Sequence, residues 1–451
     1  MTIIDACKPS RAATDIDGQS WLDRRVAVVG SGRSGLAAAE LLCRMGCRVR
    51  VTDAGQSSEL IEAKDRLDLL GAEQVEIGGH SQELIEWADL VVLSPGVPEH
   101  SGPVPWAVQR GIPIISEIEL AFLFCPSPIV AVTGTNGKST AVTLIAQIAR
   151  ASGRHAIACG NLGVPFSSVV DDLTPESLAV VEVSSFQLLW CTRFRPSIGV
   201  LLNVGTNHLD RHHDPAAYLA AKARLFQSQT AEDWAVLNGT DERIVNVGRH
   251  VMAGCVWFGD NRTNVAPFEL APQTQRILTP GQQAVLQVGR LLGIADPLSW
   301  QVLRAFRGLE HRLEPVGSLR GVQFINDSKS TTPDSLLFAL SQTRGQVVVI
   351  MGGRDKGMEF GPLAERLHEE RVRGVVLIGE SRSRLRALFN GAPPVRESAS
   401  LDEAIRTAAS MSEPGTTVLF SPACASFDMF RDFEDRGRQF KSLVTDLVRA
   451  G

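Results

Sequence analysis

One tyrosine in 451 residues, with aromatics at only 6%, leaves glycine (40 residues) and small aliphatic side chains to build the fold. That profile suits α/β domains with tight turns between strand and helix. No apolar run approaches the ~18–20 residues that a membrane span needs. The N-terminal stretch carries Asp5, Lys8, Arg11, Asp15 and Asp17 without the apolar core of a secretion signal, so a cytoplasmic location is the default expectation. The cysteines (Cys7, Cys43, Cys47, Cys125, Cys159, Cys191, Cys255 and Cys424) form no pair of CxxC motifs. Cys43 and Cys47 flank Gly46, where buried thiols are expected rather than a metal site, and all eight are expected to be reduced. A net charge of −5 argues against a nucleic-acid-binding surface, though not against a local basic pocket. An apolar fraction of 44% excludes disorder. At roughly 150 residues per domain, the length predicts about three domains, each able to bury a core.

Short apolar runs alternate with helical patterns along the chain. Arg25–Val29, Arg48–Thr52, Asp89–Leu93 and Ile112–Ile115 read as a first set of strands, with a helix near Leu36–Met45. Ile129–Thr133, Leu178–Val183, Ile198–Val204 and Trp234–Asn238 form a second set. Gln346–Met351, Gly374–Gly379 and Thr416–Ser421 form a third. Continuous apolar strands imply sheets covered on both faces, hence parallel ones. Residues 1–20 read as an extension, and 21–117, 118–309 and 310–451 as three α/β domains. The boundaries fall near Ser116–Pro128 and Gly308–Pro315. Residues 239–280, rich in Asn, Gln, Thr and Pro, carry no readable pattern.

Two glycine turns stand out. Gly30-Ser31-Gly32-Arg33-Ser34-Gly35 follows a strand and opens a helix. Such a GxGxxG turn lets backbone N–H groups and a helix N-terminus approach a phosphate, although an ordinary βα turn has the same look. Asp53, ending the next strand, could hold a ribose hydroxyl or serve as a plain turn residue. Ser94-Pro95-Gly96-Val97-Pro98 would bring a second turn to the same sheet edge. Sharper still is Thr133-Gly134-Thr135-Asn136-Gly137-Lys138-Ser139-Thr140, between a strand and a long helical pattern. Successive N–H groups would cradle phosphates, Lys138 would pair with their oxygens, and Ser139 or Thr140 could ligate Mg²⁺. The usual loop has one more glycine, where Val132 stands here.

Polar residues then gather at strand ends. Glu182 interrupts Val180-Val181-Glu182-Val183, where a carboxylate beside a phosphate loop is well placed for Mg²⁺. His208, in Asn203-Val204-Gly205-Thr206-Asn207-His208, could ligate a metal or bind a hydroxyl, or be structural. Lys222, by pattern alone, is a solvated helix lysine. Asn326-Asp327-Ser328-Lys329-Ser330-Thr331, Gly352-Gly353-Arg354-Asp355-Lys356-Gly357 and Ser421-Pro422-Ala423-Cys424-Ala425-Ser426-Phe427-Asp428 all follow apolar strands and should share one sheet edge, suiting a small anionic substrate.

Together these residues resemble the Mur ligase family. The phosphate loop, Glu182 with Ser184-Ser185-Phe186-Gln187, His208-Leu209-Asp210-Arg211 and His311-Arg312 match in order and spacing, and the motifs at 326–329 and 421–428 resemble the glutamate-adding members. The resemblance implies a Rossmann-like UDP-binding domain, a central P-loop ATPase-type α/β domain and a C-terminal Rossmann-like α/β domain. It places Arg33, Ser34, Asp53 and Gly96 on UDP, with Asn161 near the UDP-sugar. It puts ATP and Mg²⁺, two ions by resemblance, on Gly134–Thr140, Lys138, Ser139, Glu182 and His208. Lys222 would be carbamylated by CO₂ and act as a metal-binding carboxylate. Arg312 and Asp327 would reach the nucleotide, and Lys356, Ser426 and Phe427 would hold glutamate.

The implied activity is ATP-dependent joining of glutamate, D-glutamate by resemblance, to UDP-N-acetylmuramoyl-L-alanine through an acyl phosphate, in peptidoglycan precursor synthesis. A monomer without nucleic-acid or membrane partners is expected. Other Mur-type ligases, L-glutamate-adding or folylpolyglutamate-like, and an NAD-dependent oxidoreductase remain alternatives. Two departures stand out. Ile277-Leu278-Thr279-Pro280-Gly281 replaces the family's usual His-Asn-x-x-Asn stretch, and Lys329-Ser330-Thr331-Thr332 replaces its Lys-Ala-Thr-Asn.

Overall fold

The computed structural model describes residues 20–161, 163–205, 214–259, 278–355, 358–389 and 393–450. The chain divides into two compact units, one ending at Phe306 and one starting at Arg307. The first contains two sheets. Strands β1 (Arg25–Val29), β2 (Arg48–Asp53), β3 (Gln74–Ile77), β4 (Leu90–Leu93) and β5 (Ile114–Ser116) lie in the order β3-β2-β1-β4-β5. Strands β6 (Ile129–Thr133), β7 (Ala156–Gly160), β8 (Leu178–Glu182), β9 (Ile198–Leu201), β10 (Trp234–Asn238) and β11 (Gly254–Phe258) lie in the order β11-β10-β9-β6-β8-β7. Every pairing in both sheets is parallel.

The second unit has one sheet, of strands β12 (Glu314–Leu319), β13 (Val322–Asn326), β14 (Val347–Gly352), β15 (Val372–Ile378), β16 (Val395–Glu397) and β17 (Thr417–Phe420). Their order is β12-β13-β17-β14-β15-β16. Here the all-parallel expectation fails at one edge, because β12 runs antiparallel to β13. A tight turn at Arg320 and Gly321 joins them, and only antiparallel neighbours can be linked so briefly.

The apolar strands divide their side chains between two faces. Val26 and Val28 of β1 join one core with Leu41 and Leu42, while Ala27 and Val29 join another with Leu84 and Val104. Ile129 and Ala131 of β6 alternate with Val130 and Val132 in the same way, as do Val347, Val349 and Met351 with Val348 and Ile350 in β14. Helices cover both faces, so each central strand can be apolar throughout.

The strands that escaped the sequence pattern have weak signals. β3 is a partly exposed edge strand, β7 is built largely from small residues, and β16 has three residues. Within the stretch left unread, a helix spans Glu242–Gly248 and β11 follows. Residues 260–277 of that stretch lie outside the described residues, as do 1–19 of the expected extension. Seven cysteines are described and all are free thiols, with Cys43 and Cys255 only partly buried. Among the described residues no helix is long and apolar enough to cross a membrane.

Candidate active site

In the first sheet the strand order turns outward on either side of β1, which brings the loops after β1 and β4 together at the carboxyl edge. Gly30 has φ +89, and a Cβ on Gly35 would lie 1.7 Å from the Gly30 carbonyl oxygen, so the turn accepts only glycine at 35. Ser94 Oγ donates to that same carbonyl at 2.9 Å and ties the two loops. Asp53 braces the turn: its Oδ2 accepts from Ser31 N at 2.6 Å and Ser31 Oγ at 3.2 Å, and its Oδ1 from Gly55 N at 2.8 Å. Its ribose-binding expectation therefore meets a carboxylate already engaged in shaping the loop. Arg33 and Ser34 open the helix Arg33–Arg44, and Gly96 is exposed in the loop beyond β4.

The second sheet places β6 between β8 and β9, so Thr133, Glu182 and Leu201 end side by side. The phosphate loop leaves β6 with Gly134 at φ +152 and Gly137 at φ +84, then enters the helix Lys138–Ala151. Glu182 is 3% exposed. Its Oε2 accepts from Ser139 Oγ at 2.6 Å and its Oε1 from Asn161 Nδ2 at 2.9 Å. Lys138 Nζ folds back to the carbonyls of Gly134 and Thr135, both at 2.9 Å.

Lys222 corrects the reading from pattern alone. It is 1% exposed, on the helix Pro215–Ala223, not solvated. Its Nζ donates to the Gly134 carbonyl at 3.0 Å and lies 4.3 Å from the centroid of the Tyr218 ring. Burial, with the nearby Lys138 charge, pulls its pKa down to about 6, against the opposing pull of Glu182. A neutral amine is thus favoured there near neutral pH. Tyr218, the single tyrosine, belongs to no motif in the sequence, yet it sits four residues before Lys222 on one helix face. Its hydroxyl accepts from Thr135 Oγ1 at 3.3 Å.

Two of the loop amides are engaged within the protein: Thr135 N and Asn136 N both donate to Asn203 Oδ1, at 3.1 and 2.9 Å. The loop closes onto the end of β9, and these part-buried N–H groups take the acceptor that is there. His208 lies outside the described residues. So does Ile277 of the departing stretch; Thr279 caps the helix Pro280–Leu291.

In the C-terminal unit, Asp327 and Arg312 come together. Asp327 Oδ2 accepts from Ser421 Oγ at 2.7 Å and Oδ1 from Leu313 N at 3.1 Å. Burial raises its pKa to about 6, while these bonds and the Arg312 charge oppose the rise. Arg312 sits between His311 and Leu313, both at positive φ. The loops after β13, β14 and β17 meet at one edge: Asp327 N donates to Phe420 O at 2.7 Å and Gly352 N to Pro422 O at 2.8 Å. Ser426 is buried and Phe427 half-exposed there. Lys356 lies outside the described residues.

Among the described residues no group of three or more His, Cys, Asp and Glu is arranged to hold a metal alone. The Ser139–Glu182 pair nevertheless fits Mg²⁺, a hard cation held typically through one or two carboxylates plus substrate phosphates. A buried carboxylate and a hydroxyl 2.6 Å apart beside a phosphate loop supply such oxygens.

A phosphate loop, a buried carboxylate and two lysines at one sheet edge, with a glycine turn on a second sheet, define a nucleotide-using α/β enzyme. The models for the Mur ligase MurD-like N-terminal domain, the Mur ligase middle domain and the Mur ligase glutamate ligase domain match residues 24–116, 132–289 and 311–424. The chain belongs to the Mur ligase family. It is 38% identical to the UDP-N-acetylmuramoylalanine--D-glutamate ligase of Desulfosudis oleivorans, covering 94% of this chain and 97% of that one. The enzyme of the same name from Chlorobaculum tepidum is 41% identical over 93% and 97%. The MurF ligase of Thermotoga maritima, solved in complex with ADP, shares the fold at a TM-score of 0.56 and 16% identity, covering 95% of this chain and 100% of that one. The UDP-N-acetylmuramate-alanine ligase MurC of the same organism aligns at 0.55 and 18%, covering 94% and 99%. The three-domain α/β class expected from the sequence agrees with these findings, and the oxidoreductase alternative falls with the family match.

Proposed function

We propose that this chain is an ATP-dependent, ADP-forming ligase that joins D-glutamate to the carboxylate of UDP-N-acetylmuramoyl-L-alanine, a step in peptidoglycan precursor synthesis. The buried Ser139–Glu182 pair, with Asn161 bonded to Glu182, beside Lys138 and Lys222 carries the reading, together with relatives that bear this name at about 40% identity over nearly the whole chain. The glycine turn braced by Asp53, with Arg33, Ser34 and Gly96, takes the UDP group, and Asn161 faces the sugar side of the substrate. The loop Gly134–Thr140 takes ATP. Lys356, Ser426 and Phe427 take glutamate, and Arg312 with Asp327 is assigned to the nucleotide.

A carboxylate is a poor electrophile. Its oxygen attacks the γ-phosphorus of ATP, the bond to the bridging oxygen breaks, and ADP leaves. The glutamate amine then attacks the acyl carbon, loses a proton, and inorganic phosphate departs. Lys138 supplies positive charge where the transferring phosphoryl group gathers negative charge. Ser139 and Glu182 would hold Mg²⁺, and His208 would join them. Bound there, the ion would offset phosphate charge. Lys222, held as a neutral amine, is primed to take up CO₂ and become a carbamate. Carbamate formation would release one proton and turn the neutral amine into an anionic oxygen ligand that could hold a second Mg²⁺.

The enzyme is taken to be a cytoplasmic monomer acting on small molecules. The test is ADP release with UDP-N-acetylmuramoyl-L-alanine and a panel of D- and L-amino acids. D-glutamate should stand out; equal turnover with L-glutamate would sink the stereochemical assignment.

A further inference from the structure

Asn203 follows β9 and faces the phosphate loop with its whole carboxamide. Its Oδ1 accepts from Thr135 N and Asn136 N, at 3.1 and 2.9 Å, and its Nδ2 donates to the Asn136 carbonyl at 3.0 Å. Thr135 N also reaches the Asn203 main-chain carbonyl, at 3.0 Å. Two residues on, Gly205 N donates to Thr135 Oγ1 at 2.7 Å. The approach is close: a Cβ on Gly134 would lie 3.1 Å from Leu202 Cβ and 3.4 Å from both Asn203 N and O. The platform is itself held. Leu202 N donates to Thr133 O at 3.0 Å, and Asn238 Nδ2, from the end of β10, donates to Leu202 O at 3.0 Å.

We propose that Asn203 is a positioning residue for the phosphoryl-donor nucleotide. It draws the amides of Thr135 and Asn136 inward, so the loop presents the first turn of the helix Lys138–Ala151 to the phosphates. A helix start has N–H groups without intrahelical acceptors and a favourable dipole for anions. A loop with two glycines at positive φ has many other conformations open to it. Without the carboxamide, ordering the loop would draw on the free energy of nucleotide binding. This proposal rests on the assignment of ATP to that loop.

The test uses the full chain with Asn203→Ala and Asn203→Ser. Serine keeps a short acceptor and guards against an alanine variant that fails to fold. KM is measured for ATP, UDP-N-acetylmuramoyl-L-alanine and D-glutamate, beside ATP titration and melting of the nucleotide-free protein. The expected result is an ATP KM raised about tenfold or more in alanine and less in serine, as for loss of about 1.5 kcal/mol or more. Affinity for the UDP-substrate should stay within twofold. An unchanged ATP KM in a folded variant, or a lowered melting temperature with all three KM values moving together, overturns the proposal. If the wild-type chain binds no ATP, the underlying ATP assignment fails and the proposal with it. That differs from tight ATP binding that both variants retain.

Discussion

Lys138 and Lys222 converge on one carbonyl oxygen, that of Gly134, at 2.9 and 3.0 Å. Two ammonium groups sharing one acceptor repel each other, and the buried one yields. Lys222 is therefore the group that gives up its proton more readily, its pKa drawn down to about 6 by burial and the neighbouring Lys138 charge. The relationship separates the two lysines under the proposed function: Lys138 would supply the point charge to the nucleotide, and Lys222 the amine open to CO₂.

Stability should report that buried amine. Its pKa is about 6 in the folded protein and an ordinary 10.5 in the unfolded chain. Between those values the unfolded chain binds a proton that the native state does not, so stability rises with pH across that window. Below about pH 6 both states are protonated and the penalty is complete. Lys222→Met in CO₂-free buffer should flatten the rise and melt higher than wild type at pH 7, as followed by calorimetry. Identical pH profiles would mean the side chain is solvated after all.

Removing the Lys222 amine should also cost activity. Loss of one preorganised electrostatic group costs on the order of 10²–10³-fold in kcat. In Lys222→Ala the space left could admit acetate or formate as a substitute carboxylate. Partial rescue of ADP release by such an anion, with mass spectrometry of the wild-type side chain, checks the carbamate. Full activity without any anion would refute it.

Asp327 gives the opposite pH signature. Its folded pKa is raised to about 6 from an ordinary 3.8, so the native state holds a proton longer than the unfolded chain. Stability contributed by that protonated form is complete below about pH 4 and lost as pH rises through 6. Asp327→Asn should remove this loss and stabilise the protein at pH 8. Denaturant titration at both ends of the range checks it, and a parallel shift at pH 4 would point to some other cause.

At the first sheet, Gly35→Ala should fail at substrate binding. Its Cβ would collide with the Gly30 carbonyl, and overpacking of this kind costs roughly 1–3 kcal/mol. The turn that Asp53 braces would open, so UDP-substrate affinity should fall while ATP titration stays near wild type. Equal losses at both ligands would show global unfolding instead.

Lys356→Ala should raise the glutamate KM by a factor worth roughly 1.5–3 kcal/mol, the strength of a charge-assisted contact. Steady-state kinetics with each substrate varied decides it. A rise in the ATP KM alone would reassign the residue.

The sequence by itself determined the strands that must be buried on both faces. In β1, β6 and β14 unbroken apolar runs leave no solvent-facing side, and parallel sheets follow. It also determined the two glycine turns, because positive φ and the close approach at Gly35 exclude other residues. What it left open were the partners of polar side chains. Periodicity speaks of neighbours three or four residues away, whereas Ser139 meets Glu182 across 43 residues and Asn136 meets Asn203 across 67. Lys222, on a helix like any other by pattern, reaches a carbonyl 88 residues upstream. Only the order of β8, β6 and β9 in the sheet brings those strand ends together. Its burial, and hence the state of its amine, follows from that packing, because desolvation and a neighbouring charge act through space and not along the chain.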